Sequence, residues 1–274
     1  MRCEEIFRRI ENVYPTQAAL DFDNVGLLAG RLEREVHTIY IAVDASDEVV
    51  EEAIRLGADL LITHHPLIFS PMKRVTDQDF IGRRLVRLIQ NDISYYAMHT
   101  NYDVRGMADL SARWLGLQQT EALEVTEERI VKRESDHAGN EDSVWIQEGI
   151  GRIGQFSEEM SVQMCCERVK QSFALEHVRV FGDLQTGVRR AAICPGSGKS
   201  VIDVAIEKGA QVLITGDIGH HEGIDAVARG MAVIDAGHYG VEYIFMSDMK
   251  TFLEENVPGV AVTTAKVTHP FQTV

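Results

Sequence analysis

The sequence predicts an α/β protein built from two related lobes, each with a mixed sheet flanked by helices. Three observations support this fold class. Short apolar runs that suit buried strands alternate with amphipathic segments of helical period along the chain. One helix–glycine–strand passage occurs twice. No long linker or low-complexity segment interrupts the 274 residues.

In the first part of the chain, apolar periodicity and capping residues define the elements. Ser46 is placed to cap the second helix, and Gly57 to end it. Residues 59–63 are almost wholly apolar, as expected of a strand covered on both faces. Helices are predicted over residues 2–12, 47–56, 79–90 and 107–115, and strands over residues 36–43, 59–63 and 94–98.

The remaining elements begin with a hairpin over residues 121–153, whose polar loop spans residues 135–142. Ser157 is predicted to cap a helix that reaches Phe173, and Ser200 to open another through a capping box. A last helix is expected to run from His238 towards Glu255. Further strands are predicted over residues 178–180, 190–194, 212–215 and 233–236, and a helix over residues 222–229.

The internal repeat aligns residues 53–63 with residues 205–215, and seven of the eleven positions are identical. Duplication is the simplest explanation, although helix–glycine–strand passages look alike in many α/β proteins. We treat the chain as one unit, 1–274, with approximate lobes 1–118 and 186–274. A hairpin and helix region, 119–185, joins them. A cleft between two such lobes could hold a metal site with ligands from both.

Composition restricts the partners that the protein can bind. The chain has 27 basic and 42 acidic residues, a formal charge of −15, which opposes binding to nucleic acid or to anionic lipid. The four cysteines form no CxxC pair, which suits reduced thiols in the cytosol. The first residues lack a signal-peptide core, and no apolar run is long enough to span a membrane. We therefore expect a cytoplasmic protein without nucleic acid or membrane partners.

The adjacent pair His64-His65, at the end of a predicted strand, is the strongest functional signal. Imidazole is the commonest metal ligand, and α/β proteins place their sites at the carboxyl ends of strands. Neighbouring side chains on a strand point to opposite faces. Either the backbone bends after Thr63, or the two rings serve different ions.

Two later segments each place a histidine four residues before a carboxylate: His99 before Asp103, and His238 before Glu242. On a helical turn these positions are neighbours. Together with His64-His65 they suit two metal ions that share an activated water. Four other histidines are better explained as surface or structural residues, and these are His37, His137, His177 and His269.

Two further motifs are weaker. Residues 194–200 resemble a phosphate-binding loop, but Ile193 stands where that motif needs its first glycine, so a nucleoside triphosphatase is disfavoured. A glycine turn before a helix could still bind an anion. In residues 215–222, Asp217 or His221 is predicted to lie at the rim of the site, and His220 to be exposed.

As a set, these motifs resemble the Ngg-interacting-factor-like dinuclear-metal family, whose members are also named GTP cyclohydrolase type 2 homologues. They occur in the family's order and cover nearly the whole chain, at residues 22–27, 64–69, 99–103, 151–154, 215–218 and 237–242. The family usually has Trp where Phe22 stands. Some members carry a long central insertion, where this chain has only the predicted hairpin.

The resemblance implies two divalent ions per chain, of zinc, iron or manganese. His65 and Asp103 would bind one ion, His64 and His238 the other, and Glu242 would bridge them. His99 would lie beside the site as an orienting residue or proton carrier. The resemblance also implies a homohexamer, a toroid whose sites face an internal cavity.

The predicted function is a metal-dependent hydrolase that acts on a small substrate such as a nucleotide or a phosphorylated compound. A metal-activated water would attack the substrate, and His99 or His221 would relay the proton. The alternative from another class is a non-catalytic metal-binding scaffold or metallochaperone that acts through protein partners. A closed, purely structural ion site is a third option.

Overall fold

Two mixed sheets, each flanked by helices, make up the protein, as the sequence predicts. The computed structural model describes residues 1–132 and 143–272. These residues form two compact units. Unit 1 consists of Met1–Tyr102 and Glu242–Gln272, and unit 2 of Asp103–Val241.

The described residues contain the following β-strands, labelled in chain order. They are β1 (Gly26–Ala29), β2 (Thr38–Ala42), β3 (Leu60–Thr63), β4 (Ser94–Ala97), β5 (Gln118–Lys132), β6 (Ser143–Ser161), β7 (Arg179–Phe181), β8 (Gly187–Ser197), β9 (Val212–Gly216), β10 (Ala232–Asp235) and β11 (Ala261–Thr264).

The α-helices are labelled in the same way. They are α1 (Cys3–Val13), α2 (Asp47–Arg55), α3 (Phe80–Gln90), α4 (Thr100–Tyr102), α5 (Ala108–Leu115), α6 (Val162–Ser172), α7 (Ile202–Glu207), α8 (His220–Ala228), α9 (His238–Glu242) and α10 (Ile244–Asn256). A π-helical turn spans Asp103–Met107, and 3-10 turns span Thr16–Ala18 and Gly198–Val201. None of the helices within the described residues is both long and apolar enough to cross a membrane.

The sheet of unit 1 has the order β1-β4-β3-β2-β11, in which all neighbours are parallel except β1 and β4. Its central strands β3 and β4 are buried along their whole length, as predicted for a sheet covered on both faces. Ser46 caps α2 by accepting a hydrogen bond from the Val49 amide at 3.2 Å, which confirms the predicted start of that helix.

The sheet of unit 2 has the order β5-β6-β8-β9-β10-β7, with a parallel centre of β8, β9 and β10. The predicted hairpin is confirmed, because β5 pairs with β6 in antiparallel register as far as Lys132 and Ser143. Its predicted polar loop, 135–142, which includes His137, lies outside the described residues.

Some predicted helix starts are wrong. Ser157 does not cap a helix, because β6 stays paired with β8 through Met160 and Ser161. Ser161 is the cap instead, accepting a hydrogen bond from the Met164 amide at 3.2 Å. Ser200 lies within a 3-10 turn, and α7 begins at Ile202 without a side-chain cap.

Two other regions differ from the prediction: the end of β8 and the part of the chain after His238. Strand β8 continues through Ser197, and a Cβ atom on Gly198 would collide with the Thr215 side chain. Close packing therefore explains this glycine. The single helix expected after His238 is divided into α9 and α10, and β11 was not predicted.

The two repeated passages have the same backbone course in their own units. Gly57 and Gly209 adopt positive φ angles of 63° and 76°, in the left-handed region that favours glycine at a helix end. In each passage the next residue, Ala58 or Ala210, donates its amide hydrogen bond across the turn at 2.9 Å. Common origin stays a prediction, as do the lobes 1–118 and 186–274, which follow the repeat rather than the packing units.

In each passage, the residue after the Gly-Ala pair, Asp59 or Gln211, accepts backbone hydrogen bonds at the neighbouring parallel strand, β2 or β8. Asp59 Oδ2 accepts hydrogen bonds from the amides of His37 and Thr38, at 2.7 and 3.0 Å. In unit 2, Gln211 Oε1 accepts from the amides of Arg189 and Arg190, both within β8, at 2.7 and 2.9 Å. Asp59 is buried and also pairs with the Arg34 guanidinium.

We expect Asp59→Ala to lower the free energy of unfolding by about 1–3 kcal/mol, because it leaves two partly buried amides and the Arg34 guanidinium without their acceptor. Asp59→Asn is the matched control. It keeps an acceptor oxygen for the two amides and loses the charge and the oxygen that pairs with Arg34, so its loss should be smaller. Urea unfolding followed by circular dichroism measures both. An unchanged midpoint for Asp59→Ala would show that these bonds contribute nothing.

Candidate metal centre

Three of the predicted histidines meet in unit 1 at the carboxyl ends of two adjacent parallel strands. His64 and His65 directly follow β3, and His99 comes two residues after β4. One ring nitrogen from each lies within 4.8 Å of the others. The ring centroids are 5.0 to 5.6 Å apart. Because β3 and β4 end together, two separate stretches of chain deliver imidazoles to one place.

A buried tyrosine fixes the chain where it leaves β3. The Tyr95 hydroxyl lies 2.7 Å from Thr63 Oγ1, donates to the His65 carbonyl at 3.0 Å and accepts from the Leu67 amide at 2.7 Å. Burial raises the pKa of this phenol to about 12, so it stays protonated and can donate. The backbone therefore bends after Thr63, which answers how neighbouring His64 and His65 can face one group.

Each imidazole is held through its Nδ1 atom. His64 Nδ1 contacts the Met98 carbonyl oxygen at 2.7 Å, and His65 Nδ1 contacts Asp44 Oδ1 at 2.7 Å. Since a carbonyl and a carboxylate only accept hydrogen bonds, these Nδ1 atoms carry the proton. In a neutral ring Nε2 then holds the lone pair, so the Nε2 atoms are the ones that could bind a metal ion, as is common for ligand histidines. On His65 this requires loss of the proton that the ring shares with Glu242.

Glu242 places a carboxylate beside these Nε2 atoms. The residue is only 3% exposed, and its oxygens lie 3.0 Å from His65 Nε2 and 3.6 Å from His64 Nε2. Burial lowers the pKa of His65, but hydrogen bonds to Asp44 and Glu242 outweigh it and raise the pKa to about 10. A proton on His65 thus balances the buried carboxylate.

The donors in this group fit a divalent cation. Imidazole nitrogen with carboxylate oxygen suits zinc, iron(II) and manganese. A buried carboxylate needs a positive charge beside it, and a cation could supply the charge that the His65 proton supplies here. Within the described part of unit 1, His64 and His65 fit this role together with Glu242, and His99 places a third imidazole beside them.

His99 has a carboxylate partner that the sequence did not single out. Its Nδ1 atom lies 2.9 Å from Asp23 Oδ1, and the other oxygen of Asp23 accepts from the Thr100 amide at 2.9 Å. Burial raises the pKa of Asp23, but the bonds from His99 and Thr100 prevail and lower it to about 2. Asp23 and Asp44 lie in loops whose sequence has no periodic pattern, which is why their roles were missed.

The other predicted ligands belong to unit 2. Asp103 begins the π-helical turn after α4 and is half-buried. His238 begins α9, which ends at Glu242 as the four-residue spacing predicts. His238 Nδ1 lies 2.7 Å from Asp217 Oδ2, so Asp217 orients this imidazole. The assignment of Asp103 and His238 as ligands stays a prediction.

Close packing in unit 2 restricts the residue at position 216. A Cβ atom on Gly216, the last residue of β9, would collide with the backbone at Gly237 and His238. In the repeat, Gly216 corresponds to His64. His221 is exposed on α8, with its ring 5.2 Å from that of His220, and its catalytic role stays a prediction.

The sequence matches the family described as Duf34/NIF3 (NGG1p interacting factor 3) over residues 1–270. The chain belongs to this family. The resemblance found in the motifs is therefore confirmed across almost the full length.

Individual proteins are also similar to this chain over most of its length. The "GTP cyclohydrolase 1 type 2 homolog" of Clostridium acetobutylicum is 31% identical over 266 residues, covering 96% of this chain and 94% of the relative. The protein of the same name from Streptococcus pneumoniae is 33% identical over 261 residues, with 93% and 91% covered. A crystal structure of a Bacillus cereus protein related to NIF3 has a TM-score of 0.87 at 28% identity, covering 100% of this chain and 99% of that one.

The low pKa of Asp23 predicts an acid-dependent stability difference. Its folded value of about 2 lies below the ordinary 3.8, so its contribution of about 2 kcal/mol is present above pH 4 and is lost as pH falls through 2. Asp23→Asn cannot titrate. The stability gap between the two proteins should therefore narrow from pH 4.5 to pH 2.5 in urea unfolding. A gap that does not change with pH would refute the low pKa.

Proposed function

We propose that the His64, His65 and Glu242 group binds a divalent metal ion and that the protein is a metal-dependent hydrolase of a small substrate. The observation that carries the proposal is the buried carboxylate facing two imidazoles whose Nδ1 atoms are already engaged. Such a group has its ligand atoms arranged before any ion arrives, which lowers the cost of binding.

A second ion is part of the proposal through the family resemblance. Asp103 comes directly after Tyr102, where the first segment of unit 1 ends. His238 begins α9, which ends at Glu242. These are the two ligands that the resemblance adds. We propose that they complete a centre for two ions, bridged by Glu242. Hexameric assembly is proposed on the same ground.

A divalent ion, when bound, polarises the bond under attack and makes water a stronger nucleophile at neutral pH. The protein must then move the proton. His99 is suited to this step because Asp23 holds its Nδ1 atom and leaves Nε2 available beside the group.

The Asp23 carboxylate also orients the His99 ring, as a buried carboxylate does beside a catalytic histidine. His99 Nε2 would take a proton from the nucleophile and return it to the leaving group. Its ring is about one-fifth exposed, at 19%, so the proton can also exchange with solvent.

The substrate class rests on the names of relatives. Those of Clostridium acetobutylicum and Streptococcus pneumoniae are called homologues of GTP cyclohydrolase 1 type 2. GTP is therefore the first compound to test, followed by other nucleotides and phosphoesters.

We expect Glu242→Ala to remove most of the bound metal while leaving the fold largely intact. Glu242→Gln keeps the volume without the charge and should also lose metal. Glu255→Ala, an exposed glutamate at the end of α10, is the matched control and should retain it. Elemental analysis after dialysis, together with thermal unfolding, measures both properties. Two ions per chain in Glu242→Ala would refute the bridging role.

Turnover tests the hydrolase itself. Protein loaded with zinc, manganese or iron(II) is incubated with the nucleotide and phosphoester panel, and products are followed by chromatography. His99→Ala should lower kcat by about 10²–10⁴-fold while retaining metal, because it removes general acid–base catalysis. His37→Ala, at a histidine that is exposed in unit 1, is the control.

If no metal-dependent turnover occurs on any compound, the hydrolase proposal fails. Rapid exchange of the bound metal in the same protein would then favour a metallochaperone, which hands its ion to a partner protein.

A further inference from the structure

Two exposed phenyl rings lie next to His99 in unit 1. Phe22 is 61% exposed and Phe69 is 52% exposed. Their centroids are 6.2 Å apart, and the Phe69 centroid is 6.4 Å from that of His99. Single exposed apolar residues are ordinary on protein surfaces. A contacting aromatic pair that reaches a candidate catalytic histidine is not, and such surfaces mark binding sites.

The loops that carry these rings are tied together by polar contacts. The Asn24 side-chain amide donates to the Ile68 carbonyl at 2.6 Å. This bond joins the two loops, since Asn24 lies two residues after Phe22 and Ile68 directly precedes Phe69. The carboxylate of Asp23, which lies between Phe22 and Asn24, contacts His99 Nδ1 and accepts a hydrogen bond from the backbone amide of Asn24. The Tyr95 hydroxyl holds the Leu67 amide.

The aromatic pair and His99 are therefore held by shared contacts. One carboxylate, Asp23, orients His99 and fixes the loop of Phe22, and one hydroxyl, Tyr95, fixes the bend at His65 and the start of the loop of Phe69. A ligand that covers the two rings therefore has to order few loop residues on binding. Because that ordering costs free energy, most of the stacking energy is retained as affinity.

We infer that Phe22 and Phe69 form a stacking subsite for a planar heteroaromatic ring of the substrate, placed beside His99. This inference rests on the proposed function for the identity of the neighbouring site. Aromatic side chains stack on the faces of nucleobases and related rings, which all have a π-face. An aliphatic phosphoester would leave both phenyl rings in water, whereas a planar ring covers them.

The test uses binding of compounds with and without a ring. Zinc-loaded protein is titrated with guanosine, adenosine, cytidine and biopterin, and with ribose and inorganic triphosphate as ring-free probes. Saturation-transfer NMR identifies which ligand protons contact the protein, and calorimetry gives Kd. We expect at least one ring compound to bind, with the strongest saturation on its ring protons.

Four variants separate stacking from simple apolar contact. Phe69→Ala and Phe22→Ala should weaken binding of the ring compound by roughly 5- to 100-fold, in line with loss of one stacking partner. Phe69→Leu keeps apolar volume without a π-face and should also lose affinity, whereas Phe69→Tyr should keep it. Phe80→Ala, at a phenylalanine 54% exposed on α3, is the matched control. Binding of inorganic triphosphate should not change.

Three outcomes would overturn the inference. The first is that no ring compound binds. The second is equal affinity of the wild type and Phe69→Ala. The third is a change in oligomeric mass in Phe22→Ala and Phe69→Ala, measured by light scattering, without a selective loss of ring binding. That result would place the rings in a contact between copies of the chain.

The outcome is independent of catalysis. His99→Ala should lower kcat strongly yet change binding of the ring compound by less than Phe69→Ala does. If the wild type turns over nothing but binds a ring compound through Phe22 and Phe69, the hydrolase proposal fails and the subsite stands.

Discussion

The candidate site depends on a carboxylate that is almost fully removed from water. Glu242 cannot remain ionised there unless a positive charge lies next to it, and the two imidazoles at the end of β3 are its neighbours. With no cation, that charge is a proton on His65, which Asp44 stabilises from the other side of the ring. A divalent cation bound here would compete with that proton for the same small space, because either one supplies the positive charge that Glu242 needs.

Parallel pairing explains why these groups meet. Strands β3 and β4 run in the same direction and end at the same edge, so the residues that follow them are neighbours although they are far apart in sequence. Tyr95, inside β4, then reaches across to shape the bend after β3. The supporting contacts of His64, His65 and His99 come from a backbone carbonyl and two loop carboxylates, so each ring is oriented although none lies in a helix or strand.

Local chemistry made much of the fold predictable, and distant pairing made the rest unpredictable. The cap at Ser46 and the glycine at 57 act through neighbours in sequence, so their elements could be placed. The start of α6 depends on how far β6 pairs with β8, and β11 forms by pairing with β2. At the site, the spacing of His238 and Glu242 indicated one helical turn, whereas the bonds of Asp23 and Asp44 depend on tertiary contacts.

Gly216 marks the main difference between the two repeated passages at the end of their strands. Its position corresponds to His64, but the chain at Gly237 and His238 runs so close that no side chain fits. If both passages descend from one ancestor, the descendants have divided the labour: one displays imidazoles and the other makes room for a helix start. A histidine placed at 216 would push the His238 backbone away, so no single substitution could make the two passages alike at this position.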